Sequence, residues 1–182
     1  MTNEALIIVD LQNDYFPGGR WPLVGIEDAA ANARLVLNRF REKEMAVVHI
    51  RHEFPADNAP FFAPGSHGAQ INELVMPNDG EPVVLKHHPN AFRDTNLRTL
   101  LDGQGIRKLT ILGAMSHVCI DATVRAAVDF GYDVTVVHDA IATRDLEFEG
   151  TTVPARQVHA AYMAALAFAY AQVVSTGDYL SR

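Results

Sequence analysis

The chain has a single thiol, Cys119, in 182 residues. One cysteine can form neither an internal disulfide nor a cysteine-rich zinc site. Basic blocks are missing too: 15 Lys and Arg face 22 Asp and Glu, for a net charge of −7, which gives a nucleic-acid partner no footing. No apolar run approaches the ~18 residues of a membrane helix, so no membrane partner is expected. The opening "MTNEALIIVD" lacks a basic region, and an acid closes its short apolar run, so it reads as a strand rather than a signal peptide. These absences together predict a cytoplasmic protein. Proline is thin outside one stretch, since five of the nine fall between His52 and Pro82. What the chain does have is apolar residues, 48% of the total. That suffices for one core, hence one domain over residues 1–182.

Short apolar runs alternate with helical patterns. "ALIIVD" (5–10), "AVVHIR" (46–51), "VVLK" (83–86), "KLTILG" (108–113), "DVTVVHDA" (133–140) and "QVVST" (172–176) read as strands. Ala29, Ala33, Val36, Leu37 and Phe40 recur at helical spacing between the first two. A short helix follows the third strand at "DTNLRTLLDGQG". A helix from the cysteine segment follows the fourth, with Ile120, Val124, Ala127 and Val128 on one face. The last helix opens at Pro154, with a stripe of Val158, Tyr162, Ala165, Leu166 and Ala169. Residues 52–82 carry no clear period beyond a short helix near 71–75, and a loop that long is expected to serve a site or a partner. Its Phe54, Phe61, Phe62 and Ile71 exceed what one small domain is expected to cover, which predicts a homodimer or higher homo-oligomer. The alternation itself predicts an α/β fold with a parallel sheet covered on both faces.

In such sheets ligands bind beyond the carboxyl ends of the strands. Asp10 ends the first strand, Lys86 ends the third, and Cys119 opens the helix after the fourth. Each has a bland reading: a turn acid, a solvated strand end, a small buried hydrophobe. Their shared edge favours chemistry, because a carboxylate can take and return a thiol proton while a lysine steadies the charges. Ser116 reads as an N-cap that places Cys119 in the first helical turn, which predicts a lowered thiol pKa, and Gly113 lets the backbone turn there. His117, two residues from Cys119, points elsewhere and reads as pocket lining. Phe16, Trp21 and Phe92 are candidates for an apolar substrate wall, with packing beneath a loop as the alternative. His49 and His52, three apart, do not share a strand face, and no third metal ligand is evident nearby.

The segments "IIVDLQNDYF", "VVLKHHPNAF" and "GAMSHVCIDATVRAAVDFGYDVTVVHDAIATRD" resemble, in order, the three signature blocks of isochorismatase-like cysteine hydrolases, a superfamily that includes nicotinamidases, streptothricin hydrolases and isochorismatases. The resemblance runs from about residue 5 to 175. It implies a three-layer α/β/α fold with a six-stranded parallel sheet of order 3-2-1-4-5-6. It also implies a catalytic Asp10–Lys86–Cys119 triad, a cis Ala114–Met115 peptide, and an oxyanion hole formed by the Met115 and Cys119 N–H groups. Nicotinamidases carry an Asp-x-His metal pair after the second strand. Arg51 and Glu53 hold those positions here, so neither a metal nor another cofactor is expected. Isochorismatases cleave a vinyl ether without needing a cysteine, so Cys119 favours hydrolysis of a C–N bond in a small-molecule amide through a thioester. The alternatives are a vinyl-ether hydrolase using Asp10 and a thiol-sensing or binding protein on the same fold.

Overall fold

The computed structural model describes residues 3–56 and 59–182. Strand β1 (Glu4–Val9) is buried along nearly its whole length, as an apolar strand with a neighbour on each side must be. After helix α1 (Ile26–Glu42) come β2 (Ala46–His52) and, beyond the long loop, β3 (Val83–Lys86). Helix α2 (Leu97–Gly103), strand β4 (Lys108–Ala114), helix α3 (Asp121–Asp129) and strand β5 (Asp133–Ala142) follow. A hairpin of β6 (Leu146–Phe148) and β7 (Thr151–Val153) precedes α4 (Ala155–Ala169), β8 (Gln172–Val174) and α5 (Thr176–Leu180). Six strands form one parallel sheet in the order β3-β2-β1-β4-β5-β8. This is the expected order, with β8 as the sixth strand. The hairpin was not foreseen: its strands are three residues each, too short for an alternation to be read, and only Leu146 and Val153 are even half-buried.

Helices α1 and α5 pack together on one face, and α3 and α4 pack together on the other, giving three layers. The α1 stripe of Ala29, Ala33, Val36, Leu37 and Phe40 is buried, as its spacing requires. The α4 stripe is narrower than expected. Val158, Met163 and Leu166 are buried, Tyr162 is half-buried, and Ala165 and Ala169 face solvent. The helix serves one edge of the domain, so a single narrow face is covered.

The long loop folds back on its own chain. The short helix expected near 71–75 is the 3₁₀ turn Glu73–Val75, and a second 3₁₀ turn, His67–Ala69, precedes it. Phe61, Phe62 and Ile71 are buried and Phe54 is partly buried against the same core. The premise that these residues need a second subunit to cover them is therefore corrected: they are covered within the chain, and Tyr15, Trp21 and His52 pack on Phe61 and Phe62 with ring centroids 4.6 to 6.2 Å apart. Homo-oligomer formation rests on the family resemblance alone. No helix among the described residues is long and apolar enough to cross a membrane.

Candidate active site

Parallel register brings the strand ends together. Val9 pairs with Ile50 on one side and with Gly113 on the other, so Asp10, the next residue, lies between the ends of β2 and β4. Asp10 adopts a left-handed backbone conformation, φ 52°, which costs a non-glycine residue on the order of 1–3 kcal/mol and turns its carboxylate at the sheet edge. On the far side of β2, His52 pairs with Lys86 at the end of β3. Gly113 has φ 129°, and any Cβ there would collide with the Val9 backbone, so only glycine lets β4 approach β1 this closely.

Chain then turns through a π-helical segment, Ser116–Ile120, before α3 begins, and the Ala114–Met115 peptide is cis, as the resemblance implies. Ser116 is not the cap. Its hydroxyl lies 2.7 Å from His159 Nδ1 on α4, and Met115 takes the N-cap position without a side-chain bond. The serine is drawn inward because a buried hydroxyl needs a partner, and α4 provides one.

Three side chains separated widely in sequence converge. Lys86 Nζ is 2.8 Å from Asp10 Oδ2 and donates to Cys119 Sγ at 3.2 Å, and all three residues are buried. His52 joins them, with Nδ1 2.8 Å from Lys86 Nζ. Sequence reading weighed His52 only as a metal ligand and missed its place beside Lys86. Its signal was the β2–β3 pairing that places it beside Lys86, and pairing is a tertiary fact. His49 points to the other face, as the spacing requires, with Nε2 2.9 Å from Glu81. Asp10, His52 and Cys119 form a group of metal-capable side chains with donor atoms within 4.8 Å of one another. His52 therefore has two metal-capable neighbours that the sequence did not show, and Lys86 Nζ lies within 3.2 Å of an atom of each of the three. Arg51 and Glu53 pair with each other at 3.5 Å.

Burial dominates the electrostatics. It pushes the Asp10 carboxyl up, against the pull of Lys86. It pushes the Cys119 thiol up as well, reinforced by the Asp10 charge and opposed by Lys86. A lowered thiol pKa is thus not found: the expectation set the helix end and Lys86 against the Asp10 charge, with the proton shared by the Asp10–Cys119 pair, and left out the loss of solvent, which is the largest cause. Lys86 is held above its usual range despite its burial, because Asp10 and Cys119 favour the ammonium. Burial and the neighbouring Lys86 push His52 down to about 3, so its ring is neutral.

Two polar residues of the first block, also missed, hold the surrounding loops. Gln12 Nε2 donates to the His52 and Ala69 carbonyls at 2.8 Å each, and its Oε1 accepts from the His52 N–H at 2.8 Å. Asp14 accepts from Arg20 N–H at 3.1 Å and from Phe62 N–H at 2.6 Å. A Cβ at Gly68 would collide with the Asp14 carboxylate, so that glycine lets the loop close over it. Their alternation after Asp10 was legible, but apart from the Arg20 N–H their partners lie 40 to 57 residues away, beyond any local pattern.

The expected pocket residues separate. Trp21 stacks on Phe61 at 4.9 Å, with the Arg144 guanidinium 4.1 Å from its ring centre, inside the aromatic group of Tyr15, Phe54, Phe61 and Phe62. Tyr15 lies close enough to Cys119 and Asp10 for both charges to push its hydroxyl further above its usual range, after burial. Phe16 borders a cavity of about 730 Å³ between residues 13–20 and 66–76. His117 Nδ1 lies 2.7 Å from Thr143 Oγ1. Phe92 is placed differently from the expectation of a substrate wall. It packs on Phe130 and Tyr132, and Tyr132 borders a cavity of about 600 Å³ beside the strand starts Glu4, Lys108 and Asp133, at the opposite edge of the sheet. The 87–96 loop runs back toward α2 and carries Phe92 with it.

Residues 4–177 match the Isochorismatase domain family model. The chain is 46% identical over 176 residues to the uncharacterized isochorismatase family protein YddQ of Bacillus subtilis, covering 97% of this chain and 98% of YddQ. It is 34% identical over 148 residues to a streptothricin hydrolase of Streptomyces noursei, covering 79% of this chain and 51% of that protein. Among solved structures, an Oleispira antarctica protein assigned to the isochorismatase hydrolases superposes with a TM-score of 0.95 at 55% identity, covering 98% of this chain and 96% of that one. With the sheet order, the buried Asp10–Lys86–Cys119 group and a family match over nearly the whole length, this chain belongs to the isochorismatase family of hydrolases, within the isochorismatase-like cysteine hydrolase superfamily.

Proposed function

We propose that the protein hydrolyses a small amide or amide-like C–N bond through a Cys119 thioester. The observation that carries this reading is the position of Lys86 Nζ, between Asp10 Oδ2 at 2.8 Å and Cys119 Sγ at 3.2 Å in a site closed to solvent. A thiol held protonated beside a carboxylate is the starting state for general-base activation. Asp10 takes the thiol proton as sulfur attacks the carbonyl carbon. The oxyanion is held by the Met115 and Cys119 N–H groups. Asp10 returns the proton to the departing nitrogen, and the C–N bond breaks. Asp10 then deprotonates a water that attacks the thioester, and the sulfur leaves as thiol with that proton. Lys86 steadies the negative charge that moves between carboxylate and sulfur. The similarity to a streptothricin hydrolase supports a hydrolase with a small-molecule substrate.

A panel of small amides, ureides and lactams tests the reading, with wild type and Cys119→Ala compared before and after iodoacetamide. Turnover lost on both substitution and labelling is expected. Turnover of a vinyl ether retained in Cys119→Ala would replace this reading with acid catalysis by Asp10.

A further inference from the structure

Lys86 carries three ammonium protons; it hydrogen-bonds Cys119 Sγ at 3.2 Å and His52 Nδ1 at 2.8 Å, and its Nζ forms an ion pair with Asp10 Oδ2 at 2.8 Å. The proposed mechanism uses Asp10 and Cys119 and leaves His52 without a role. Lysine can only donate, so His52 Nδ1 accepts, and the single proton of the neutral ring sits on Nε2. That Nε2 is buried and has no hydrogen-bond partner among the described residues. The residue is 6% exposed, and its ring stands edge-on to Phe54 at 4.8 Å and tilted against Phe62 at 6.2 Å. A buried donor without a partner loses roughly 1–3 kcal/mol of solvation, so such donors are few and call for an explanation. Gln12 fixes the His52 backbone through both its N–H and its carbonyl, so the ring is set on a braced strand end.

We infer that His52 is a positioning residue for Lys86, and that its Nε2–H is the donor for an uncharged hydrogen-bond acceptor on the substrate. The Nδ1 contact orients the ammonium so that its other two protons reach the carboxylate and the thiol. The same contact fixes the tautomer, so the donor on the opposite edge of the ring follows from the role of Lys86. Burial first, then Lys86 beside it and His87 and His88 on the β3 side, disfavour a charged His52, which keeps Nδ1 free to accept. The substrate this site suits carries a carbonyl, ether or ring-nitrogen acceptor next to a face that can lie against the partly exposed Phe54. An anionic group there would need a cation, and the neutral imidazole does not provide one.

The substrate half of this inference rests on the proposed amide hydrolysis; the Lys86 half does not, and two substitutions separate them. His52→Asn keeps an acceptor oxygen near the Nδ1 position and removes the Nε2 donor. His52→Phe keeps the aromatic packing and removes both. The first readout is the rate of iodoacetamide capture of Cys119, the only thiol, followed by mass spectrometry with thermal melting as the check on folding. Capture in His52→Phe should fall on the order of tenfold, the scale of a hydrogen bond to a charged group, and return to near wild type in His52→Asn. Wild-type capture in a folded His52→Phe would overturn the positioning role. The second readout is turnover of any amide that wild type hydrolyses. His52→Asn should raise KM on the order of tenfold with a smaller change in kcat. An unchanged KM would overturn the donor role and leave Nε2–H facing the Phe54 ring. If wild type hydrolyses none of the amides, the proposed reaction fails, and the capture series still decides the Lys86 half.

Discussion

Lys86 and Asp10 form an ion pair, Nζ to Oδ2 2.8 Å, with neither side chain reaching solvent. Taking two charges out of water is costly, and here it is offset only because each has the other and because Cys119 and His52 accept the remaining ammonium protons. Removing one partner leaves the other uncompensated. Lys86→Met, close in volume, should lower stability by about 3–5 kcal/mol in urea denaturation and abolish turnover. The double variant Lys86→Met/Asp10→Asn should recover part of the stability and none of the activity. A double variant as unstable as the single one would mean that packing, not charge, sets the cost.

Asp10→Asn keeps the shape of the side chain and removes the base. Turnover of a hydrolysed amide should fall on the order of 100-fold or more. Cys119→Ser should fall comparably, since a hydroxyl gives up its proton less readily. Steady-state kinetics at pH 7 and 9 check both. A rate near wild type for Asp10→Asn would remove the carboxylate from the mechanism.

Gln12→Ala should strip partners from the His52 N–H and from the His52 and Ala69 carbonyls at once. Each buried group left unpaired costs roughly 1–3 kcal/mol. The loss should be largest locally. Hydrogen exchange at His52 and at residues 66–72 should quicken by more than the global change in stability accounts for.

Gly113→Ala places a methyl group against the Val9 backbone and forces an L-residue to φ 129°. Neither strand can give way, because β1 and β4 are central in the sheet. We expect a loss above about 4 kcal/mol, or no soluble protein, measured by denaturation and expression yield. A near wild-type midpoint would show that β4 can shift away from β1.

His52 titrates at about 3 in the folded chain against 6.5 when unfolded. Between those values the unfolded chain binds a proton that the folded chain does not. Stability therefore rises with pH across this window and is lost as pH falls from 6.5 toward 3, by up to about 1.4 kcal/mol per pH unit for this one group. His49, His117 and His159 are also held down by burial and add in the same direction. His52→Phe removes one share of that slope. Urea midpoints at pH 4, 5, 6 and 7 should show a shallower pH dependence in the variant, and equal slopes would mean that His52 is protonated in the folded state.

The strand runs, the order of elements and the carboxyl-edge positions of Asp10, Lys86 and Cys119 were legible in the sequence, because apolar periodicity and strand ends are local properties. So was Gly113 as a turning point, since a glycine closing a β-strand before a helix has few other reasons to be there. Four things were not local. His52 enters the site only because β2 pairs with β3 in a register that sets it beside Lys86. Ser116 caps nothing because α4 brings His159 to within 2.7 Å of its hydroxyl. Phe92 leaves the site because its loop packs it against Phe130 and Tyr132. The thiol pKa lies above its usual range because the helix end, Lys86 and the opposing Asp10 charge can be read from sequence, whereas the depth at which they are buried is set by the whole fold, and desolvation is the largest cause.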